Sequence, residues 1–306
     1  MKFFLPHSVC ALFSVSLLAV SAEAVAEPVT LYGKGNVSFQ SADEGEGRFT
    51  ELKSNNSRLG VKGDFSLENG LTAFYLFEWQ IDLADLSGSD NFKSRNQYIG
   101  LKGDFGAVLL GRNDTMLKQS QGKIDQFNDL EADIKALWQG ENRVSNSLTY
   151  QSPRYRGFQL GVTYIAEEAP ESEPGYSVSL SHGDSKLKKQ PWFASLAVDR
   201  DVAGFDIQRF SLQYKLDDWI FGGIVQRQEA SDTGLERDGW LASLAYDLSD
   251  FRLKAQYQEL EEDSSASVGA DYPLSDNIKL YAFYTRQEKQ SSSDKSWLAA
   301  GMELTF

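Results

Sequence analysis

Cysteine and histidine are scarce in this chain. Its 306 residues include one cysteine, Cys10, and two histidines, His7 and His182. A disulfide needs two cysteines, and zinc sites are built largely from clustered cysteine and histidine ligands. We therefore expect no disulfide framework, no metal site and no other cofactor.

An excess of basic charge is also absent, and so are long apolar runs after the N-terminal region. The chain has 30 Lys+Arg against 44 Asp+Glu, a formal net charge of -14. Binding to phosphate backbones requires clustered Lys and Arg, so we expect no nucleic-acid partner. Without a run of about 18 apolar residues, helical membrane spans are excluded. A mean hydropathy of -0.39 is typical of a water-soluble protein.

The N-terminal residues have the three parts of a secretory signal peptide. Lys2 supplies the positive charge, residues 9–20 form a short apolar region, and residues 24–26 (AVA) are typical of a cleavage site. We expect 1–26 to be a signal peptide and 27–306 to be the mature domain. Its removal would take away the only cysteine.

Short runs with alternating apolar and polar residues fill the remainder of the chain. In residues 251–258 (FRLKAQYQ) the apolar side chains occupy every second position, and residues 210–216 and 298–306 alternate in the same way. A period of two predicts β-strands with one apolar and one polar face. Turn signals divide the chain into about 16 such runs, the number that gives a barrel wide enough for an aqueous channel.

Tight turns alternate with longer polar connections, which we place at 40–55, 81–93, 114–142, 229–237 and 288–295. An exported chain with an even number of strands and this alternation is typical of an outer-membrane β-barrel. A closed barrel satisfies every backbone hydrogen bond in lipid, and a polar lumen accounts for the low hydropathy. The predicted fold is all-β: a 16-stranded antiparallel transmembrane barrel over residues 27–306.

Several motifs occur in an order that resembles the general trimeric porins of Gram-negative bacteria. They are LYGKG at 31–35, SRLGVKG at 57–63, RNQYIGLKG at 95–103, LGRND at 110–114 and ENRV at 141–144. The resemblance covers the whole predicted mature chain. It implies an outer-membrane homotrimer that contacts lipid and lipopolysaccharide and passes ions and small hydrophilic solutes. It further implies that Phe306 is the aromatic residue presented to the barrel-insertion machinery.

The longest connection, 114–142, is predicted to contain a short amphipathic helix. Ile124, Phe127, Ile134 and Trp138 fall on one side of a helical wheel, and Asp125, Asp129 and Asp133 on the other. A surface helix with a solvated acidic face is the alternative interpretation. The resemblance implies instead that this third loop folds into the lumen, with its carboxylates toward the pore.

The resemblance also implies a basic wall opposite the loop, formed by Lys34, Arg58, Arg95 and Arg143. Strand alternation independently places Lys34, Arg58 and Arg143 on the polar face, whereas Arg95 shares its phase with Ile99 and Leu101. Each could instead be an ordinary polar residue of the lumen. Rings of charged side chains set selectivity in pores, so these four and the three aspartates are our predicted constriction.

Two other functions are considered. An enzyme is not expected, because His182 is the only histidine in the predicted mature chain and there is no Gly-x-Ser-x-Gly nucleophile motif. A substrate-selective channel for sugars or anions with the same architecture is the alternative to a general porin. A ladder of aromatic side chains in the lumen would favour a sugar channel, and Tyr281 and Phe283 share one face.

Overall fold

The computed structural model describes residues 29–85, 91–167, 169 and 173–306, whose strands form a single antiparallel sheet. The first strands are β1 (Thr30–Asp43), β2 (Arg48–Ser54), β3 (Arg58–Ser66), β4 (Thr72–Ile81), β5 (Phe92–Gly103) and β6 (Gly106–Asp114). The middle strands are β7 (Arg143–Gln151), β8 (Phe158–Ile165), β9 (Gly175–Gly183), β10 (Trp192–Val202), β11 (Phe205–Leu216) and β12 (Trp219–Ala230). The last are β13 (Glu236–Asp247), β14 (Arg252–Leu260), β15 (Asp263–Ser275), β16 (Ile278–Lys289) and β17 (Ser292–Thr305).

The sheet closes on itself between the first and last strands. β1 pairs with β17 over ten register positions, from Lys34 with Thr305 to Asp43 with Ser296. On its other edge β1 pairs with both β2 and β3, so these two segments occupy a single position in the barrel. Residues 55–57 interrupt them, and Asn56 there adopts a left-handed φ of 52°. The predicted 16-stranded antiparallel barrel is therefore confirmed.

Apolar side chains face outward and polar side chains face inward. In β11, Phe210, Leu212 and Tyr214 are exposed, whereas Ser211 and Gln213 are buried. A soluble domain would bury the apolar set, but here that set forms the outer surface of the barrel. The faces that alternation predicts for β11, β14 and β17 are the faces observed.

The two ends of the barrel differ in their connections. The start of β1 at Thr30 and the C-terminal Phe306 lie at one end, together with the turns 67–71, 104–105, 152–157, 184–191, 217–218, 248–251 and 276–277. At the opposite end, β1 continues into β2 through residues 44–47 and β16 into β17 through residues 290–291. The long connections predicted at 40–55 and 288–295 are wrong, because polar residues there continue the strands rather than end them. Those predicted at 81–93 and 229–237 are present as 82–91 and 231–235.

In the ranges that the structure describes, helical structure is confined to α1 (Met116–Gln119) and to 3-10 turns at Glu68–Gly70 and Ile134–Ala136. Among the described residues, no helix is long and apolar enough to cross a membrane. We call residues 115–142, between β6 and β7, the lumen loop. It lies inside the barrel, where Leu117, Ile124 and Phe127 belong to three separate apolar clusters with inward residues of the wall. The apolar core is therefore the contact between the lumen loop and the inner wall.

Candidate pore constriction

Lys34 and Arg58 come from neighbouring strands and form one register pair of the sheet. Lys34 lies in β1, Arg58 is the first residue of β3, and their Cα atoms are partners in the antiparallel ladder. Both contact the same carboxylate of the lumen loop: Lys34 Nζ lies 2.6 Å and Arg58 Nη2 2.9 Å from Asp129 Oδ2. Strand alternation thus predicts the face of both residues correctly.

The carboxylate of Asp129 is held in place by two cations and by a neutral side chain. Asn56 Nδ2 donates to the second carboxylate oxygen, Asp129 Oδ1, at 2.8 Å. The backbone of Asp129 has a left-handed φ of 72°. Burial opposes ionisation of Asp129, but Lys34 and Arg58 outweigh it and lower the pKa of the carboxyl to about 2. The loop therefore touches the wall here through an ionised carboxylate.

Arg95 faces inward because a β-bulge reverses the phase of β5. Phe77 pairs with Gln97, but Trp79 pairs with Ser94, so β5 contains one extra residue at this point. A bulge changes the side to which the next side chain points. Ile99 therefore faces outward while Arg95 is buried, with its Nε 2.6 Å from Glu78 Oε1.

Arg143 begins β7 and is paired with an acidic residue at the end of β6. Its Nη2 lies 3.0 Å from Asp114 Oδ1, and its Nε donates to Asn96 Oδ1 at 2.7 Å. Lys118 of α1 lies 3.2 Å from the same Asp114 oxygen. The four predicted basic residues thus lie on one side of the lumen, but Arg95 and Arg143 have acidic partners from the wall itself.

The lumen loop carries the predicted short helix as α1 (Met116–Gln119), but the helix does not cover the apolar repeat at 124–138 where the spacing placed it. Residues 124–138, all of which the structure describes, consist mainly of turns, with a 3-10 turn at Ile134–Ala136. The apolar residues nevertheless pack as their chemistry requires. Ile124, Phe127 and Ile134 are fully buried, and Trp138 Nε1 donates to the carbonyl of Glu259 at 3.0 Å.

Asp125 and Asp133 shape the loop backbone, in contrast to the helical-wheel expectation that both face the pore as a common acidic surface. Asp125 accepts the amides of Phe127 at 2.9 Å and Ile134 at 3.0 Å. Asp133 accepts the amides of Asp129 at 2.9 Å and Lys135 at 3.0 Å. Burial, and then the carboxylate of Asp133, raise the pKa of Asp125. Of the three predicted aspartates, Asp129 is the one placed against the basic wall.

A cavity of about 430 Å³ lies between the lumen loop and this wall. Its basic lining residues are Arg58, Arg95, Lys118, Lys123, Lys135 and Arg143, and its acidic ones are Asp114, Asp129, Asp133 and Glu141. The loop lysines and Glu141 are absent from our predicted site, because the helical spacing of carboxylates in this loop picks out Asp125, Asp129 and Asp133 alone. The predicted site also lacks Glu78. A single carboxylate within the otherwise apolar strand β4 would have indicated an inward, functional position.

A second ion pair anchors the far part of the lumen loop. Glu141 Oε1 lies 2.8 Å from Nη1 of Arg209, an inward residue of β11 whose side chain is fully buried. Arg209 Nε also donates to Gln226 Oε1 at 2.7 Å. The loop is therefore fastened to opposite parts of the wall, at Asp129 and at Glu141.

The remaining predicted positions lie away from this cavity. The amide of Phe306 donates to Gly33 O at 3.1 Å, and the Phe306 side chain is exposed on the outer surface. His182 stacks on Trp192 with ring centroids 4.4 Å apart. Within the described ranges, no group of three or more His, Cys, Asp or Glu side chains could hold a metal ion. The predicted signal peptide lies outside the described residues.

A closed barrel with an apolar outer surface, a polar lumen and an inward loop is the architecture of an outer-membrane channel. Comparison with known proteins agrees with this class. The family model described as Gram-negative porin matches residues 11–292. The chain belongs to the Gram-negative porin family and is an outer-membrane β-barrel.

Individual relatives are distant in sequence. The chain is 25% identical to major outer membrane protein P.IB of Neisseria meningitidis serogroup B (strain H44/76), over 95% of this chain and 93% of that protein. The protein of the same name from Neisseria lactamica is 28% identical, over 61% of this chain and 57% of that protein. The match thus spans little more than half of the N. lactamica protein.

Solved structures share the fold at low identity. An anion-selective porin from Comamonas acidovorans superposes with a TM-score of 0.71 and 18% identity, covering 92% of this chain and 100% of that one. Salmonella typhi OmpF gives a TM-score of 0.73 with 14% identity, covering 92% and 98%. These likenesses establish a common barrel architecture.

Proposed function

We propose that this protein forms a passive, water-filled pore for ions and small hydrophilic solutes, with its constriction at the cavity beside the lumen loop. The proposal depends mainly on the charged side chains that line this cavity on both sides. Of the three predicted aspartates, the proposed constriction keeps Asp129 as the residue that contacts the basic wall. All four predicted basic residues, Lys34, Arg58, Arg95 and Arg143, belong to it. Conduction requires binding weak enough for solutes to leave, and we assign no catalytic role to the channel.

The charge balance of the constriction favours anions. Six basic and four acidic side chains line the cavity, although the whole chain carries a formal charge of -14. Each of the four carboxylates lies within 4 Å of a cation: Asp114 of Arg143, Asp129 of Lys34, Asp133 of Lys135, and Glu141 of Arg209. The cavity therefore presents a net positive potential to a permeating ion.

Reversal potential across a potassium chloride gradient tests this proposal. We expect the unmodified channel to prefer chloride, and the double variant Arg58→Gln/Arg143→Gln to shift toward potassium. Both values should converge at high salt, because the Debye length falls to about 3 Å at 1 M. The matched control is Arg227→Gln/Arg286→Gln, which removes two exposed arginines from the outer surface. An unshifted reversal potential in the first variant would show that the ion path avoids this wall.

A sugar-selective channel is less well supported than an ion channel. Tyr281 and Phe283 do face inward, with centroids 6.3 Å apart and rings inclined by 23°. However, Phe127 of the lumen loop packs edge-on against Phe283, and Tyr281 Oη is hydrogen-bonded to Asn36 and Asn55. The two rings are almost fully covered, so they offer a solute little stacking surface.

We further propose a homotrimer embedded in lipid and lipopolysaccharide. The apolar outer surface requires lipid or a neighbouring subunit, and a structural neighbour from Vibrio cholerae, OmpT, is described in a trimer form. Phe306, which directly follows β17, remains our proposed signal for the insertion machinery, and residues 1–26 remain our proposed signal peptide. Mass measurement of the purified, unheated protein tests the trimer, and a monomer mass would contradict it.

A further inference from the structure

The turn between β9 and β10, residues 184–191, is the longest connection at the end of the barrel that holds the chain termini. It contains the sequence SKLKK at 185–189. Asp184 organises the turn by accepting the backbone amides of Lys186 at 3.0 Å, Lys188 at 2.9 Å and Lys189 at 2.8 Å. These bonds to a charged acceptor fix the backbone from which the lysine side chains project.

This turn reaches into the lumen and approaches the lumen loop. Gly122 has a left-handed φ of 61°, and a side chain there would meet Phe193 and Ser185. A cavity of about 590 Å³ lies beside this contact, lined by Lys186 and Lys188 of the turn and by Lys123 of the loop. Lys123 and Asn128 also line the constriction, so the two cavities adjoin.

Three lysines of this second cavity lack acidic partners. Within the part of the chain that the structure describes, no carboxylate lies within 4 Å of the ammonium groups of Lys123, Lys186 or Lys188. Other cations of the same cavity are paired. Lys254 Nζ lies 2.8 Å from Asp271 Oδ1, and Lys279 Nζ lies 3.5 Å from Glu303 Oε1. The three lysines therefore form a local excess of positive charge.

Neighbouring charge at Lys123 agrees with this geometry. Burial, and then the ammonium of Lys186, lower the pKa of Lys123. Two like charges that face one cavity repel each other unless an anion lies between them. Lysine ammonium groups bind phosphate oxygens as point charges, with a geometry less demanding than that of arginine.

We propose that the space between the lumen loop and the 184–191 turn is a binding site for a small multivalent oxyanion, held by Lys123, Lys186 and Lys188. The inference rests on the proposed pore function, since the site adjoins the constriction and a solute reaches it through the lumen. It gives the channel an anion site next to the constriction, on the side of the 184–191 turn. Phosphate-type anions with two or more charges suit a cavity lined by three lysines without acidic partners better than chloride does.

Binding of inorganic pyrophosphate to the purified, folded protein in detergent tests the site without requiring conduction. Isothermal titration calorimetry of the unmodified protein should show binding. Lys186→Gln/Lys188→Gln should weaken it by about tenfold, which corresponds to about 1.4 kcal/mol. Lys123→Gln should weaken it as well. The control Lys189→Gln removes a lysine of the same turn that does not line the cavity, and it should stay within about twofold of the unmodified affinity.

Three results would overturn the site. They are the absence of pyrophosphate binding, equal affinity in Lys186→Gln/Lys188→Gln, and weakening confined to Arg58→Gln/Arg143→Gln, which would place the anion in the constriction instead. Circular dichroism dominated by β-structure confirms that each variant is folded. Failure of the pore proposal would be recognised separately, as an unshifted reversal potential in the constriction variant.

Discussion

Asp129 connects the two sides of the constriction at the level of a single residue. Its carboxylate contacts both Lys34 and Arg58 and ties the lumen loop to β1 and β3. Its pKa of about 2 lies below the ordinary value, so the contact stabilises the folded state fully above the unfolded pKa. The stabilisation is lost as the pH falls from about 4 toward 2.

Replacing Asp129 with Asn should raise the preference for anions. The substitution removes one negative charge, and Lys34 keeps Glu303 Oε2 at 3.5 Å, so the lumen gains one net positive charge, centred on Arg58. We expect the reversal potential to move further toward chloride than in the unmodified channel. The comparison belongs at pH 7, because burial raises the pKa of the cavity carboxyl Glu141, and its protonation at lower pH would also move the reversal potential toward chloride.

Asp232→Asn is a suitable control, since it removes a charge from an exposed connection at the opposite end of the barrel from the termini. Equal reversal potentials for Asp129→Asn and the unmodified protein would mean that Lys34 and Arg58 do not face the ion path.

How far the site can be predicted differs from residue to residue. Alternation is sufficient for Lys34 and Arg58, because each lies in a regular stretch of strand. Arg95 faces the lumen only because of the bulge in β5. No residue type near positions 95 and 96 indicates that a bulge occurs there. Its position was therefore predicted from the resemblance and not from the pattern.

The lumen loop shows the same limit at the level of an element. Its apolar spacing correctly predicts which side chains are buried, since burial depends on chemistry and approximate position. The same spacing wrongly predicts a helix at 124–138, because Asp125 and Asp133 accept hydrogen bonds from backbone amides that a helix would use. Aspartate side chains compete with helical hydrogen bonds in this way.

The buried pair between Glu141 and Arg209 should be essential for holding the loop. Glu141→Gln leaves the Arg209 guanidinium buried without its carboxylate, which costs about 3–5 kcal/mol when one partner of a buried pair is removed. We expect a lower midpoint of thermal unfolding and larger fluctuations of the open-channel current. Replacing both residues, as Glu141→Gln/Arg209→Gln, should recover much of the loss.

An exposed pair provides the comparison for this prediction. Asp238→Asn breaks the contact with Arg227, whose side chain is 54% exposed, and exposed ion pairs contribute little to stability. If Glu141→Gln were as mild as Asp238→Asn, the loop would depend on its apolar contacts and not on this ion pair.

For the whole molecule, the period of two predicts the strands and the closure of the barrel, but not the lengths of the connections. Polar residues at 40–55 and 288–295 resemble loops in composition, yet β1 and β2, and β16 and β17, continue through them. Both faces of a strand that rises beyond the lipid meet water, so polarity no longer separates strand from loop. The end of the barrel opposite the termini is consequently more compact than its sequence indicates.

The two ends of the barrel give an orientation that can be tested in living cells. We expect both termini on the periplasmic side, which places residues 231–235 outside the cell and residues 276–277 in the periplasm.

Residues 27–306 contain no cysteine, so a single introduced thiol can be labelled without background. Asp232→Cys on intact cells should react with a maleimide attached to a polymer too large for the pore, whereas Asp276→Cys should react only after the outer membrane is permeabilised. Both positions are exposed in the folded barrel, so a difference in labelling reports the side of the membrane and not burial. Labelling of Asp276→Cys in intact cells, with Asp232→Cys protected, would require the opposite orientation and would move the 184–191 turn to the cell surface.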